Sequence, residues 1–154
     1  MDRTDAPDLL PDPPAAVGGG STGAFLMLVG AGLTAVALFL PRFHVAGVGG
    51  ETTVTGISGV GVGLLFLSGF AAALALATIL PELVAIRFAF PLLAGALMSL
   101  LVYRRWSDLN NALDGARTLP GIEASIGVGF WLTVVGASLV LAGGAVMQFE
   151  RRRA

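Results

Sequence analysis

Long apolar runs without a charged residue, separated by short polar stretches, dominate the pattern along this chain. These runs cover residues 23–40, 57–80, 88–103 and 124–149. A helix needs roughly 20 apolar residues to cross a hydrocarbon layer of about 30 Å. The pattern therefore predicts an all-α integral membrane protein, a four-transmembrane-helix antiparallel bundle. The expected spans are about 23–41, 57–80, 86–103 and 124–148. The alternative, a buried hairpin of a soluble helical protein, is disfavoured by charge-free runs of this length.

The polar stretches between the runs carry weaker patterns of their own. In the first loop, residues 43–45 and 52–55 flank Gly49-Gly50 and favour strands joined by a glycine turn. In the third loop, Trp106, Leu109 and Leu113 recur at helical spacing. We therefore expect a small β-hairpin in the first loop and a short interfacial helix in the third loop.

The two ends of the chain differ from the apolar middle. Residues 1–22 contain four aspartates, four prolines and a glycine triplet, a composition too poor in apolar surface to offset the entropy of ordering. They predict a disordered acidic, proline-rich tail, and the acidic start does not match a secretory signal. Residues 23–149 form the predicted transmembrane domain, and residues 150–154 a basic C-terminal tail.

Small residues recur at regular intervals within the apolar runs. In lipid, helices associate through close packing of such residues, and a seven-residue spacing keeps one face toward a neighbour. The predicted packing positions are Gly23, Gly30, Gly59, Gly63, Gly95, Gly129, Gly136 and Gly143. Two interpretations remain open, namely packing within one bundle and contact with a second copy or another membrane protein.

Composition limits the chemistry available to the chain. It is 55% hydrophobic and 12% charged, with a mean hydropathy of +0.85, no cysteine and one histidine. These numbers exclude thiol chemistry and a haem held by two histidines. The apolar runs contain only hydroxyl groups, which argues against ion-coupled transport. We expect no enzymatic activity, no cofactor and no metal site, and the net charge of −1 argues against a nucleic-acid partner.

Polar and aromatic residues of the first and third loops would share one face of the predicted bundle. The candidate loop face comprises Arg42, His44, Glu51, Arg104, Arg105, Trp106, Asp108 and Glu123. Tryptophan is typical of the membrane–water interface. The face is interpreted either as a recognition surface or, more simply, as a solvated rim with weak ion pairs.

Arginine counts predict how the bundle faces. Five arginines belong to the side with both termini and four to the side with the first and third loops. The positive-inside rule then places both termini in the cytoplasm of a multi-pass protein of the cell membrane.

The loop arrangement resembles that of known small membrane proteins. A T-V-T-G-I-S-G run before the second apolar run, and a G-x-G-(F/W) start of the fourth, are similar to small uncharacterised four-span proteins of GC-rich prokaryotes. The layout also resembles claudins, although their Trp…Gly-Leu-Trp…Cys…Cys signature is absent. The resemblance implies a layout and not an activity.

The residues favour a non-catalytic accessory or structural subunit, acting through helix packing and the loops on one side. Its expected partners are the lipid bilayer and either a membrane protein or a second copy. Two alternatives are a small oligomeric channel or carrier, and a structural protein of an enveloped virus or subunit of a larger membrane enzyme.

Overall fold

The computed structural model describes residues 21–47, 49–57, 60–80 and 91–153. Within these ranges the elements are α1 (Ser21–Ala37), β1 (Pro41–Gly47), β2 (Gly50–Thr55), α2 (Val60–Ile79), α3 (Pro91–Arg117), β3 (Glu123–Ile126) and α4 (Val128–Arg153). The predicted N-terminal tail, apart from its last two residues, and the link around residues 81–87 lie outside the described residues. The helices pack side by side, α1 against α2 and α4, and α3 against α4 and α2. The strands form a sheet near one end of the helices.

The predicted all-α, four-span architecture is wrong. Among the described helices, two are long and apolar enough to cross a membrane, Val60–Ile79 in α2 and Val128–Glu150 in α4. Length and composition alone are weak support for a membrane, since the core helix of a soluble protein meets the same criteria. The apolar helix Thr22–Ala37 is shorter, and α3 joins an apolar half to a polar half. A run without charged residues shows that a segment is apolar, whereas a membrane-spanning segment must also form an apolar helix of sufficient length.

The short interfacial helix predicted in the third loop is not a separate element. Helix α3 continues from Pro91 to Arg117 without a break, so Trp106 and Leu113 lie on the same helix as the apolar residues before them. Extending an existing helix costs less than nucleating a new one. Because no glycine or proline interrupts residues 92–94 or 96–114, the polar residues simply prolong the helix.

The strands form an antiparallel sheet in the order β2-β1-β3. Strands β1 and β2 make the hairpin expected around Gly49-Gly50, and Gly50 has a φ of +118°, which favours glycine. Strand β3 pairs with the other edge of β1, with Phe43 opposite Ile126 and Ala46 opposite Glu123. This third strand was missed because residues 123–126 were assigned to the start of an apolar span. A lone hairpin is marginally stable, so β3 supports it.

Helices α1 and α4 are in contact through their backbones. A Cβ atom added to Gly30 would lie 2.6 Å from the carbonyl oxygen of Gly136, and one added to Gly143 would lie 2.6 Å from that of Gly23. The early part of α1 therefore meets the late part of α4, and the helices are antiparallel. Any side chain at these positions would force the two helices apart.

The other predicted packing glycines contribute unequally. Gly129 lies against carbonyl groups at the end of α1, and a Cβ on Gly95 would lie 2.6 Å from the Cα of Leu141. At Gly63 it would meet only the side chain of Leu101, at an ordinary 3.8 Å, and Gly59 lies outside the described residues. The glycine stripes of α1 and α4 are thus occupied by contacts within the chain.

Candidate functional site

Arg42 is the charged residue whose side chain is buried among the described residues, with 4% of its surface exposed. It is the second residue of β1, where the register of the β1–β2 pairing shifts between Pro41 and Phe43. Such irregularities redirect a side chain away from the regular alternation of a strand. The Arg42 side chain consequently reaches Thr133 on α4.

Two glycines make room for the backbone and side chain of this arginine. A Cβ on Gly56 would overlap the guanidinium of Arg42, and one on Gly127 would overlap the carbonyl oxygen of Pro41. Their amides also hold the segment, since the Gly56 N–H donates to the Leu38 carbonyl at 3.0 Å and the Gly127 N–H donates to the Arg42 carbonyl at 2.7 Å. The arginine is therefore fixed between the residues that precede α2 and α4.

The buried guanidinium has few polar partners. Its Nη2 donates a hydrogen bond to the Thr133 hydroxyl at 3.2 Å, and that hydroxyl donates to the Gly129 carbonyl at 2.7 Å. Its Nε is inaccessible and has no hydrogen-bond partner among the described residues. Within the described ranges, no carboxylate lies within 4 Å of the guanidinium. A single neutral hydroxyl offsets little of the cost of burying a charge.

A second arginine increases the positive charge of this site. Burial, and then the nearby positive charge of Arg105 on α3, lower the pKa of Arg42 from its ordinary value to about 10. The guanidinium therefore stays charged at neutral pH. The first turns of α4 add no compensating negative charge, because the N-terminal end of a helix is positive.

The two arginines line a common cavity of about 190 Å³ between the sheet and the helices. Phe43 and Phe130 contribute apolar walls, and Asp108 contributes the one carboxylate among the described lining residues. Counting side chains, the lining holds two positive charges and one negative. The cavity is therefore a small, mostly apolar space with one net positive charge.

An aromatic cluster lies where this cavity meets an apolar groove. The ring of Trp106 lies 5.3 Å from that of Phe130 and 6.1 Å from that of Trp131. Beyond the cluster, a groove of about 360 Å³ runs between α3 and α4, toward Ser99 and Ser138. Phe130 lines both spaces, so the cavity and the groove adjoin.

The structure divides the candidate loop face into parts. Arg42, Arg105 and Asp108 meet at the cavity, and Trp106 lies beside it. Arg104 is exposed and does not line the cavity. On the sheet, the Nδ1 of the half-buried His44 lies 3.7 Å from the Oε1 of the exposed Glu51. Glu123 lies on β3, at a cleft beside Ala46.

The simpler interpretation of this face, a solvated rim, does not hold for Arg42. Its partner Thr133 lies 91 residues away, so no local pattern joins them. The prediction also missed Gly56 and Gly127. Their position just before α2 and α4 could have indicated their role, because a close backbone contact at such a junction requires glycine.

Comparisons with known proteins add no assignment. No protein-family model matches the chain, and no curated protein sequence matches it. Among the described residues, no group of three or more histidine, cysteine, aspartate or glutamate side chains is arranged to hold a metal ion. The expectations of a non-enzyme without a cofactor, and the resemblance in loop layout, stay predictions.

Proposed function

We propose that this chain is an integral membrane protein whose apolar helices lie in the bilayer, among them α2 and α4, which are long enough to cross it. We propose further that it acts as a non-catalytic accessory or structural component. Three features support the proposal. The outer surface of the helices is apolar, the helices meet through glycine, and the aromatic residues gather at one level. The first of these carries the argument.

Large apolar side chains point away from the helix contacts on α1, α2, α3 and α4. The most exposed include Phe25 at 62%, Phe66 at 76% and Phe149 at 65%, and also Leu100 and Val135. In water such a surface drives association, because contiguous apolar patches larger than a few hundred Å² are rare on soluble monomers. In hydrocarbon the same side chains are in a favourable solvent. Small residues are then preferred at the contacts between helices.

The aromatic residues support an interface at the sheet end of the helices. Both tryptophans of the chain, Trp106 and Trp131, and its one tyrosine, Tyr103, line the groove between α3 and α4. Such amphipathic rings concentrate at the headgroup level of a membrane. The sheet would then lie at the membrane surface, with α2 and α4 extending from it into the hydrocarbon.

The interior of the helices supports an accessory role over a channel or carrier. Hydroxyl groups within α1, α2 and α4 donate to carbonyls of their own helices. The pairs are Thr34 with Gly30, Ser68 with Leu65, Thr78 with Ala75, Thr133 with Gly129, and Ser138 with Val134. Hydroxyls engaged in this way are poor ligands for a passing ion. The tightly packed contact between α1 and α4 leaves no room for a path between these helices.

The membrane assignment is tested by fractionation. The full-length chain should stay in the membrane fraction after an alkaline carbonate wash, which removes peripheral proteins, and should be released by detergent. Recovery in the soluble fraction without detergent would refute the assignment. The accessory role predicts a stoichiometric protein partner after purification in mild detergent, and no ion flux in proteoliposomes. Flux that depends on the chain would contradict it.

Orientation is a further part of the proposal. Residues 23 and 147 lie in contact, so α1 begins and α4 approaches its end on the same side, opposite the sheet. We assign that side to the cytoplasm because the end of α4 there carries the basic triplet Arg151, Arg152 and Arg153. A C-terminal reporter that is active only outside the cytoplasm should therefore be silent, and activity of that reporter would reverse the assignment.

A further inference from the structure

We propose that the cavity and the adjoining groove bind one anionic phospholipid, with its phosphodiester beside Arg42 and Arg105 and an acyl chain between α3 and α4. This inference rests on the membrane location proposed above. The site has two parts of different chemistry, and each part restricts the class of ligand.

The charges that line the cavity favour binding of an anion. Arg42 is almost fully buried. In the part of the chain that the structure describes, its one side-chain partner is the neutral hydroxyl of Thr133, and its Nε has no partner. The second cation in the lining, Arg105, repels it instead of compensating it. A phosphate group is the usual ligand of paired arginines because its oxygens accept several charge-assisted hydrogen bonds.

The charge of the cavity favours an anion with a single negative charge. Two arginines and Asp108 leave one net positive charge in the described lining. A phosphodiester with an uncharged headgroup, as in phosphatidylglycerol, carries one negative charge and balances it. Phosphatidylcholine adds a quaternary ammonium to the same phosphate and therefore brings no net charge to the site.

The lining of the groove favours binding of an apolar acyl chain. Val102, Val134 and Ala137 contribute apolar walls, and the aromatic cluster forms the end nearest the cavity. Since Phe130 lines both spaces, one molecule with an anionic head and an apolar tail can occupy them together. Free phosphate would fill the first part alone.

Quenching of the two native tryptophans gives a direct assay, because both line the groove. The full-length chain is purified in detergent micelles and titrated with phosphatidylglycerol that carries bromine on its acyl chains. Phosphatidylcholine with the same brominated chains is the reference. Half-maximal quenching should require a roughly tenfold lower mole fraction of phosphatidylglycerol, as expected for one charge-assisted hydrogen bond to a buried phosphate.

Adjacent arginines on α3 provide a matched pair of variants for the head site. Arg105→Gln should remove the preference for phosphatidylglycerol, whereas Arg104→Gln should keep it, because Arg104 is exposed and lies outside the cavity lining. Arg42→Met should remove the preference as well. If the buried Arg42 variant does not fold, the comparison of Arg105→Gln with Arg104→Gln still tests the head site.

A second pair of variants tests the groove. Ser138→Phe adds bulk within the groove and should reduce quenching by brominated phosphatidylglycerol, whereas Ala73→Phe adds the same bulk to an exposed position on α2 and should not. Equal quenching curves for the two lipids, or equal effects of Arg104→Gln and Arg105→Gln, would overturn the proposal.

A final competition separates the lipid from a soluble anion. Glycerol 3-phosphate and inorganic phosphate should displace brominated phosphatidylglycerol only weakly, since neither fills the groove. Displacement by either one at the same concentration as by short-chain phosphatidylglycerol would show a site for free phosphate and refute the lipid. A chain that needs no detergent would refute the membrane location, whereas a membrane-bound chain without headgroup preference would refute only this inference.

Discussion

Replacement of Gly30 by alanine tests whether the contact between α1 and α4 holds the fold together. A Cβ at this position would lie 2.6 Å from the carbonyl oxygen of Gly136, 2.8 Å from the amide nitrogen of Val140 and 2.9 Å from the Cβ of Leu139. None of these atoms is the far end of a flexible side chain. The clash can therefore be relieved only by moving one helix away from the other.

The size of the effect follows from these distances. Ordinary contact begins at 3.4 Å, so the helices must separate by about 0.8 Å at the closest point. Overpacking of this kind costs about 1–3 kcal/mol. Alanine is the better helix former by at most about 1 kcal/mol. We therefore expect Gly30→Ala to lower the free energy of unfolding by about 1–2 kcal/mol.

The matched control lies two residues further along the same helix. Among the described residues, a Cβ on Gly32 would meet nothing within 4 Å, so Gly32→Ala should be neutral or slightly stabilising. Unfolding of both variants is followed by circular dichroism in detergent during titration with a denaturing surfactant. If Gly30→Ala is as stable as Gly32→Ala, the inferred contact between the two backbones is wrong.

The remaining predictions concern the site and the sheet. Arg42→Met should raise the free energy of unfolding by on the order of 1 kcal/mol, because it removes a buried charge. Because burial lowers the pKa of Arg42 to about 10 in the folded chain, this cost is present throughout the range below pH 10 and fades above it. The gain measured by denaturation should therefore be constant from pH 6 to 9, and a loss of stability would instead make the arginine a structural residue. Gly56→Ala should lower the melting temperature because its Cβ overlaps the guanidinium of Arg42. Gly49→Ala should not, since a Cβ there would meet none of the described residues within 4 Å, and equal melting temperatures would contradict the clash. His44→Ala should change the stability by less than about 0.5 kcal/mol in thermal melts, since its contact with Glu51 is long and open to solvent on the Glu51 side. A larger loss would mean that the contact is better shielded from water than the exposure of Glu51 indicates.

The sequence pattern was sufficient to predict an element where the residues of that element alone determine its structure. The charge-free runs located α2 and α4 to within a few residues, because apolar composition and helical length coincide there. Residues flanking Gly49-Gly50 indicated a strand turn, since β-branched residues around glycine favour one. The seven-residue spacing of Gly129, Gly136 and Gly143 identified the smooth face of α4, because periodicity is a property of the helix itself.

The same patterns failed where an element depends on its neighbours. Strand β3 is too short to be recognised alone, and it exists as a strand because the free edge of β1 accepts its hydrogen bonds. Helix α3 was divided at the change from apolar to polar residues, although hydrogen bonding along a helix is indifferent to that change. The number of spans was overestimated for two reasons. The first apolar run forms a helix of only 17 residues, and the third run is continued by charged residues within one long helix.

By itself, the sequence determined that this chain is rich in apolar helices and that ionisable residues are absent from the apolar runs. It also determined that glycine recurs along one face of α1 and of α4. Only the tertiary structure decided which glycine meets which, and that Arg42 is buried beside Thr133 and faces the same cavity as Arg105. The physical reason is the range of the interactions. Helix periodicity is expressed within a few residues, whereas the environment of a buried charge is assembled from segments about 60 to 90 residues apart.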